Sequence, residues 1–475
     1  MTSVVDTDIC VIGAGSGGLS VAAGAAQMGA DTVLVESGKM GGDCLNYGCI
    51  PSKALLAAAK QAYAMTDGAS LGVSPVVPEI SFNKVHDHVR GVIAALEPND
   101  SQKRFEGLGV NVIRAEAHFV GRQEIEAGGY RIKARRIVIA TGSSPVVPAI
   151  TGLNQVPFFT NETLFDNETC PDHLVIIGGG PIGVEMAQAH VRLGAKVTIL
   201  EMFSLMAKDD PELVAVLKNQ LIGEGVDIRE GVKVNAVEQK GDGLSVSIEG
   251  DNTTDRVHGS HLLVATGRQA NVAALNLEAA GIDYDRNGIK VDKRLRTTNK
   301  KVFAIGDVTG GLQFTHVANY HAGIVIRNAL FRLPAKANHN AVPWVTYTDP
   351  ELANVGLTEA QARARRGDRI RVLTWPLEEN DRAQAERKTD GMIKVITNKT
   401  GRILGASIVA PHAGELIQPW VLAISAKLKI RSMAGYIAPF PSLGEISKRA
   451  ASSYYTPALF SKRTRRMVRL LGKLG

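Results

Sequence analysis

The chain predicts an α/β protein built on two dinucleotide-binding βαβ units, and two observations carry that prediction. Asp8-Ile9-Cys10-Val11-Ile12 is an apolar strand leading into Gly13-Ala14-Gly15-Ser16-Gly17-Gly18, a GxGxxG turn that opens a helical stretch ending near Gly29. The unit then recurs, with Leu174-Val175-Ile176-Ile177 leading into Gly178-Gly179-Gly180-Pro181-Ile182-Gly183. Gly13 and Gly178, Gly15 and Gly180, Gly18 and Gly183, Gly29 and Gly194, and Glu36 and Glu201 all stand 165 positions apart. One such turn alone is weak evidence. Two at a constant offset, each with an acid 18 residues after its third glycine, are strong.

In both units the glycines let the backbone approach a pyrophosphate at a helix start, and the closing carboxylate receives ribose hydroxyls. Glu201 therefore also bears on cofactor choice. Its carboxylate repels a 2′-phosphate and no arginine lies among Met202 to Met206, which favours NAD(H) over NADP(H), with Lys208 the nearest cation. A second matched pair, Ile139-Ala140-Thr141-Gly142 and Val264-Ala265-Thr266-Gly267, comes after apolar strands and marks chain crossings between the two nucleotide folds. After the second crossing, Val302-Phe303-Ala304-Ile305-Gly306-Asp307 again ends a strand on a glycine and a carboxylate, the latter suited to a polyol.

Between the first unit and its crossing lies Gly41-Gly42-Asp43-Cys44-Leu45-Asn46-Tyr47-Gly48-Cys49-Ile50-Pro51-Ser52-Lys53. Proline is favoured in the first turn of a helix, so Pro51 is expected to start one, with Cys49 beside its amide-rich end. That position favours thiolate, the reactive form. Lys53, four residues on, shares the helix face and can stabilise the same thiolate or a reduced cofactor. Gly41, Gly42 and Gly48 allow the tight fold an exchangeable disulfide needs, the plain alternative being two unrelated core thiols. Cys10, inside an apolar run, and Cys170, before Pro171, are expected to be inert.

Four cysteines in 475 residues exclude a secreted disulfide scaffold and fit a reducing compartment. The first residues show neither a basic leader nor an apolar core, and no run is long enough to span a bilayer, so a cytoplasmic protein is expected. The length fits about three domains of roughly 150 residues. The 49 glycines suit a chain with many tight strand-to-helix turns.

Over almost its whole length the chain resembles the class I flavoprotein disulfide reductases, the family of dihydrolipoamide dehydrogenase, glutathione reductase and mercuric reductase. The resemblance implies that Gly13, Gly15, Gly18, Glu36, Thr141 and Gly142 bind FAD, with Asp307 on its ribitol. It implies that Gly178, Gly180, Gly183, Glu201 and Gly267 bind NAD(H). Lys53 is implied near the flavin N5, paired with Glu185. Cys49 is implied as the charge-transfer thiolate and Cys44 as the sulfur that exchanges with substrate. His316, just past Asp307, is weighed as a stabiliser of reduced flavin against a structural histidine. His86 and His88 read as surface helix residues, and no spacing resembles a zinc site.

The resemblance also implies an α+β dimerisation domain and a functional homodimer. The expected partition is an FAD domain at 1–148 and 268–338, an NAD domain at 149–267, a dimerisation domain at 339–460 and a tail at 461–475. One departure stands out. Dihydrolipoamide dehydrogenases and glutathione reductases carry a His-Pro near the C-terminus, with a glutamate four residues after the proline. Here the stretch reads Tyr436-Ile437-Ala438-Pro439-Phe440-Pro441-Ser442-Leu443-Gly444-Glu445, so Phe440 takes the histidine position while Glu445 is kept. General acid–base help is worth about 10² to 10⁴ in rate, and Tyr436 or Glu445 is the candidate replacement. Mercuric reductases also carry an aromatic there, though they end in a cysteine pair where this chain ends Leu470-Leu471-Gly472-Lys473-Leu474-Gly475. The expected substrate is thus a small disulfide or dithiol, with a metal ion as the alternative and a non-catalytic flavoprotein scaffold as the third reading.

The net charge of +7 has a local origin. From Lys448 onward there are eight basic residues and no acidic ones, which leaves −1 for everything before. As a helix, Phe460, Thr464, Met467 and Leu471 form one stripe and Lys462, Arg466, Arg469 and Lys473 another. Such a helix suits an anionic membrane, an acidic partner or packing on the dimer. No recognition motif for nucleic acid accompanies it.

Overall fold

The computed structural model describes residues 3–250 and 253–474. Two units emerge, one from Met1–Ala59, Glu79–Met202 and Ile228–Asn338, the other from Lys60–Pro78, Phe203–Asp227 and His339–Gly475.

The first unit holds the two nucleotide folds. Its larger sheet orders its strands Val110–Arg114, Thr32–Glu36, Ser3–Ile12, Tyr130–Ile139, Glu124–Ala127 and Ala117–Gly121, with Val302–Ala304 also paired to Tyr130–Ile139. The apolar run Ile9-Cys10-Val11-Ile12 runs parallel to Thr32–Val35 on one side and Arg136–Ile139 on the other. Continuous apolar strands are what a sheet covered on both faces requires. Two buried clusters supply that cover, one around Phe119, Ile125 and Ile132, the other around Leu19, Phe105 and Val325. The second fold repeats the plan, with strands Asp227–Arg229, Lys196–Leu200, His173–Ile177 and His261–Val264 in that order. Each fold also carries an antiparallel meander, Ala117–Gly121 to Tyr130–Ile139 in the first and Lys233–Lys240 to Thr253–Gly259 in the second. The likeness of the two folds therefore extends to supersecondary structure that the glycine motifs do not mark, although the meanders start 116 residues apart, at Ala117 and Lys233, outside the 165-residue register.

Two small strands, Ser143–Pro145 and Arg268–Ala270, pair antiparallel just after the two Ala-Thr-Gly crossings. The crossings thereby run side by side.

The second unit is built on a five-stranded antiparallel sheet, in the order Pro343–Thr346, Glu351–Gly356, Ile403–Ala410, Met392–Asn398 and Ile370–Pro376. Helices Gln418–Ser425 and Glu445–Ser453 bury Trp420 and Ile446 against it. Trp420 Nε1 donates to Ser447 Oγ at 3.0 Å, so the largest buried side chain is satisfied. Lys394, 3% exposed within the strand Met392–Asn398, is held by Asp210 at 2.8 Å, Glu212 at 2.7 Å and Glu359 at 3.3 Å. No helix among the described residues is long and apolar enough to cross a membrane.

Two expectations are corrected here. The helix after the cysteine loop runs Cys49–Thr66, so it starts two residues before Pro51 and makes Cys49 its first residue. Proline fits that first turn because its missing N–H has no intrahelical acceptor there. His88 is exposed on the helix Phe82–Asp100, but His86 is half-buried and its Nε2 accepts from Arg90 Nε at 3.4 Å.

Candidate functional site

The two glycine turns have the same internal geometry. Gly13 has φ +102°, and a Cβ there would lie 2.5 Å from the Ala140 carbonyl oxygen; Gly178 has φ +116° and a Cβ would lie 2.4 Å from that of Ala265. A Cβ on Gly18 would sit 1.8 Å from the Gly13 carbonyl oxygen, and one on Gly183 would sit 2.0 Å from that of Gly178. Glycine is thus demanded at the first and third positions by the chain itself. At the middle positions, Gly15 and Gly180, a Cβ would meet nothing within 4 Å. Both stand at helix N-caps, before Ser16–Gln27 and Pro181–Arg192. An open glycine at a helix start is the cradle a pyrophosphate fills, so the residues present fit a dinucleotide in each turn. The acids close each cradle alike. Ala14 N–H donates to Glu36 Oε2 at 2.5 Å, and Gly179 N–H to Glu201 Oε2 at 2.6 Å.

The cysteine loop is joined to the first cradle. Gly41 N–H donates to the Ala14 carbonyl at 3.0 Å, and a Cβ on Gly42, at φ +60°, would lie 2.7 Å from Gly15 Cα. Cys44 sits in the short helix Gly42–Asn46 and Cys49 opens the next one. Both are free thiols, Cys44 half-buried and Cys49 exposed.

Their electrostatics separate them. Cys49 is lowered to about 6, chiefly by the hydrogen bond from Cys44, with further help from Thr315 and Lys53 against partial desolvation of its sulfur. Cys44 is pushed up, first by that same hydrogen bond to Cys49 and then by burial and the neighbouring charge. The pair therefore shares one proton near neutral pH, carried on Cys44 and donated to a Cys49 thiolate. Thr315 Oγ1 lies 3.3 Å from Cys49 Sγ, at the start of the helix Thr315–Ala329. Lys53 Nζ donates to Glu185 Oε2 at 2.9 Å, and the Glu185 side chain is only 6% exposed.

A polar chain runs from the loop to Asp307. Asn161 Nδ2 donates to Asp43 Oδ1 at 3.0 Å, and Arg268 Nη2 stands 3.1 Å from the same oxygen. Arg268 Nε donates to Ser143 Oγ at 2.8 Å, which in turn donates to Asp307 Oδ2 at 2.7 Å. Burial raises the Asp307 carboxyl, and the Ser143 hydrogen bond and Arg268 charge oppose it. Thr141 Oγ1 donates to the Asn271 carbonyl at 2.8 Å, while Gly142, at φ +70°, and Gly267, at φ +139°, give their crossings backbone that only glycine adopts without strain.

Sequence reasoning missed Thr315, Ser143, Arg268, Asn161 and the anchoring role of Asp43. The available signal was positional, since Ser143 and Arg268 each come directly after an Ala-Thr-Gly crossing. Of the histidines, buried His321 accepts from Gly306 N–H at 3.2 Å through Nδ1, and His316 stacks on Phe314 with ring centroids 5.3 Å apart. In the second unit Phe440 is 69% exposed, and Glu445 opens the helix Glu445–Ser453. Tyr436 is a correction. Its hydroxyl donates to the Gly444 carbonyl at 3.0 Å, and burial together with the Glu445 charge pushes its pKa upward, away from the range of a base. No group of three or more His, Cys, Asp or Glu fit to hold a metal ion occurs among the described residues.

A thiolate held against a second thiol, on a loop locked to a dinucleotide cradle, makes this a thiol oxidoreductase served by nucleotide cofactors. The sequence comparisons narrow that class. Residues 7–322 match the pyridine nucleotide-disulphide oxidoreductase model and residues 342–451 match the dimerisation domain of the same enzymes, so the chain belongs to the class I pyridine nucleotide-disulphide oxidoreductases. It is 34% identical to a mercuric reductase of Streptomyces lividans and 34% identical to a dihydrolipoyl dehydrogenase of Geobacillus stearothermophilus, each over 94% of this chain and 96% of the relative. It is also similar to the solved Cu(II) complex of an HOCl-induced flavoprotein disulfide reductase from Escherichia coli. That likeness has a TM-score of 0.84 and 30% identity over 94% of this chain and 99% of that one. The protein is an FAD-dependent disulfide oxidoreductase that uses a nicotinamide dinucleotide, and its dimerisation domain supports a homodimer.

Proposed function

We propose that the enzyme passes electrons between NAD(H) and a small disulfide or dithiol through Cys44 and Cys49, in the manner of a dihydrolipoamide dehydrogenase. The observation that carries this is the placement of the pair, Cys44 and Cys49 on a loop locked to the first glycine cradle with Thr315 Oγ1 3.3 Å from Cys49 Sγ, and the lowered Cys49 pKa accords with it. Gly13, Gly15, Gly18, Glu36, Thr141, Gly142 and Asp307 would hold FAD. Gly178, Gly180, Gly183, Glu201 and Gly267 would hold NAD(H), with NADP(H) disfavoured by the Glu201 carboxylate. When bound, the flavin supplies two-electron transfer between the nicotinamide and the thiols.

The chain's own residues carry the sulfur chemistry. In the reducing direction Cys44 gives up its proton and its sulfur attacks the substrate disulfide. A Cys44–substrate mixed disulfide forms and one substrate thiolate leaves. Cys49 thiolate then attacks Cys44 Sγ, forming the Cys44–Cys49 disulfide and releasing the second thiolate. Both leaving thiolates take up protons, so the two electrons given by the cysteine pair appear as two product thiols. Lys53 keeps a positive charge on the Cys49 side, and buried Glu185 fixes its position. Glu445 of the partner subunit is the proposed acid/base in place of the missing histidine.

A second reading, reduction of a metal ion at the same thiols, is favoured by Phe440 and by the mercuric reductases among the relatives. The domain partition at 148, 267, 338 and 460 belongs to the proposal, as do a cytoplasmic location and a peripheral membrane contact of the basic tail. Anaerobic turnover with dihydrolipoamide and NAD⁺ tests the first reading, with Cys44→Ser as control. Fast NADH formation that Cys44→Ser abolishes is expected. Negligible turnover by a protein that still oxidises NADH with Hg²⁺ would select the second reading.

A further inference from the structure

The dimerisation-domain match ends at residue 451, and the C-terminal segment beyond that point has a character of its own. The helix Lys462–Leu471 starts at Ser461, whose Oγ accepts from Thr464 N–H at 3.2 Å, while Thr464 Oγ1 donates back to the Ala458 carbonyl at 2.7 Å. The break at Ser461 puts Phe460 outside the helix, and Lys473 lies past its end. The stripes read from sequence therefore shorten by one residue each. None of the helix's residues is buried. At about 100° per residue, Met467, Val468, Leu470 and Leu471 fall within one half of the surface and Lys462, Arg465, Arg466 and Arg469 within the other, while Arg463 is the one cation on the apolar half, in the first turn, where its long side chain can reach up to the headgroups. Each of the four apolar side chains is more than half exposed.

We propose that this helix docks the enzyme on an anionic lipid bilayer, lying in the interfacial plane with Met467, Val468, Leu470 and Leu471 below the headgroups. The two faces point to lipid together. Nucleic acid would neutralise the cations but leave four large apolar side chains in water. A second copy of the chain could cover the apolar face, but with a net charge of only −1 before Lys448 it offers the cations no overall acidic surface comparable to an anionic bilayer. A bilayer with acidic headgroups satisfies both halves at once. The docking is independent of which electron acceptor the enzyme serves.

Full-length, FAD-loaded protein is sedimented with vesicles of phosphatidylcholine alone or of equimolar phosphatidylcholine and phosphatidylglycerol. Binding to the anionic vesicles is expected to be roughly tenfold or more tighter. It should weaken with added salt. It should be lost both in R465E/R466E/R469E and in M467D/L471D, with retained FAD and native circular dichroism showing that each variant folds. Absence of sedimentation with the anionic vesicles overturns the proposal. So does binding that ignores the apolar substitutions, which would mark an acidic macromolecular partner. Dissociation of M467D/L471D into monomers also overturns it, since a second copy would then cover the stripe.

Discussion

Thr315 illustrates how a single hydroxyl sets the chemistry of a centre. Its oxygen, 3.3 Å from Cys49 Sγ, acts together with the Cys44 thiol and the Lys53 charge to keep Cys49 ionised against the desolvation its neighbours impose. With its pKa lowered to about 6, Cys49 is mostly thiolate above that pH and is quenched by protonation below it. Thr315→Val removes one donor to the charged form, so the pKa must rise. A hydrogen bond to a charged group is worth about 1.5 kcal/mol or more, which corresponds to about one pKa unit. The pH at which iodoacetamide alkylation of Cys49 is half-maximal is expected to move up by about that amount, with FAD content unchanged. An unshifted profile would remove Thr315 from the site. Cys44, Cys49 and Lys53 were legible because their spacing is local, four residues along one helix in the case of Cys49 and Lys53. Thr315 was not, because it reaches the thiol from 266 positions away and nothing nearby in sequence marks the contact.

Within the elements, the three glycines of each turn do different work, and substitution separates them. A Gly18 Cβ would collide with backbone at 1.8 Å, which the strand-to-helix turn cannot relieve by a rotamer change. Gly18→Ala is expected to abolish soluble, folded protein. Gly15→Ala meets nothing in the chain itself and is expected to fold while retaining less than about a tenth of the FAD, since the added methyl occupies the space the pyrophosphate needs. A Gly15→Ala protein with full flavin content would contradict the assignment. In the second unit, Lys394→Ala would strand the Asp210 carboxylate, which is 3% exposed. Removing one partner of a buried pair costs about 3–5 kcal/mol, so urea unfolding should shift accordingly, and adding Asp210→Asn should restore much of it. The parallel cores were readable from apolar runs and glycine spacing. The meanders were not, because short half-exposed strands such as Glu124–Ala127 carry too little alternation to stand apart from loop. The Lys394 cluster escaped because its four charges come from three separate stretches of sequence, each ordinary on a protein surface.

For the whole molecule, the open question is how a homodimer lacking the usual histidine delivers a proton to its exchanging thiol. Phe440 is 69% exposed and lies five residues before Glu445, in the segment that the family resemblance brings from one subunit to the disulfide of the other. Tyr436 is withdrawn from contention by its hydrogen bond to Gly444. The chain thus keeps Glu445 while placing an apolar ring where, by the family resemblance, the imidazole would be. If the natural acceptor is a disulfide, Glu445 acts alone, and Phe440→His should supply the missing base. Dihydrolipoamide oxidation by the variant should rise by part of the about 10²–10⁴-fold that general acid–base catalysis contributes, with a new dependence on an ionisation near pH 6.5. If the natural acceptor is a metal ion, an imidazole at that position competes for the ion as a ligand. The same variant should then lose Hg²⁺ reduction without gaining dithiol turnover. Steady-state assays of one substitution with two substrates therefore separate the two readings, and a variant unchanged toward both would show that residue 440 does not reach the thiols of the partner subunit.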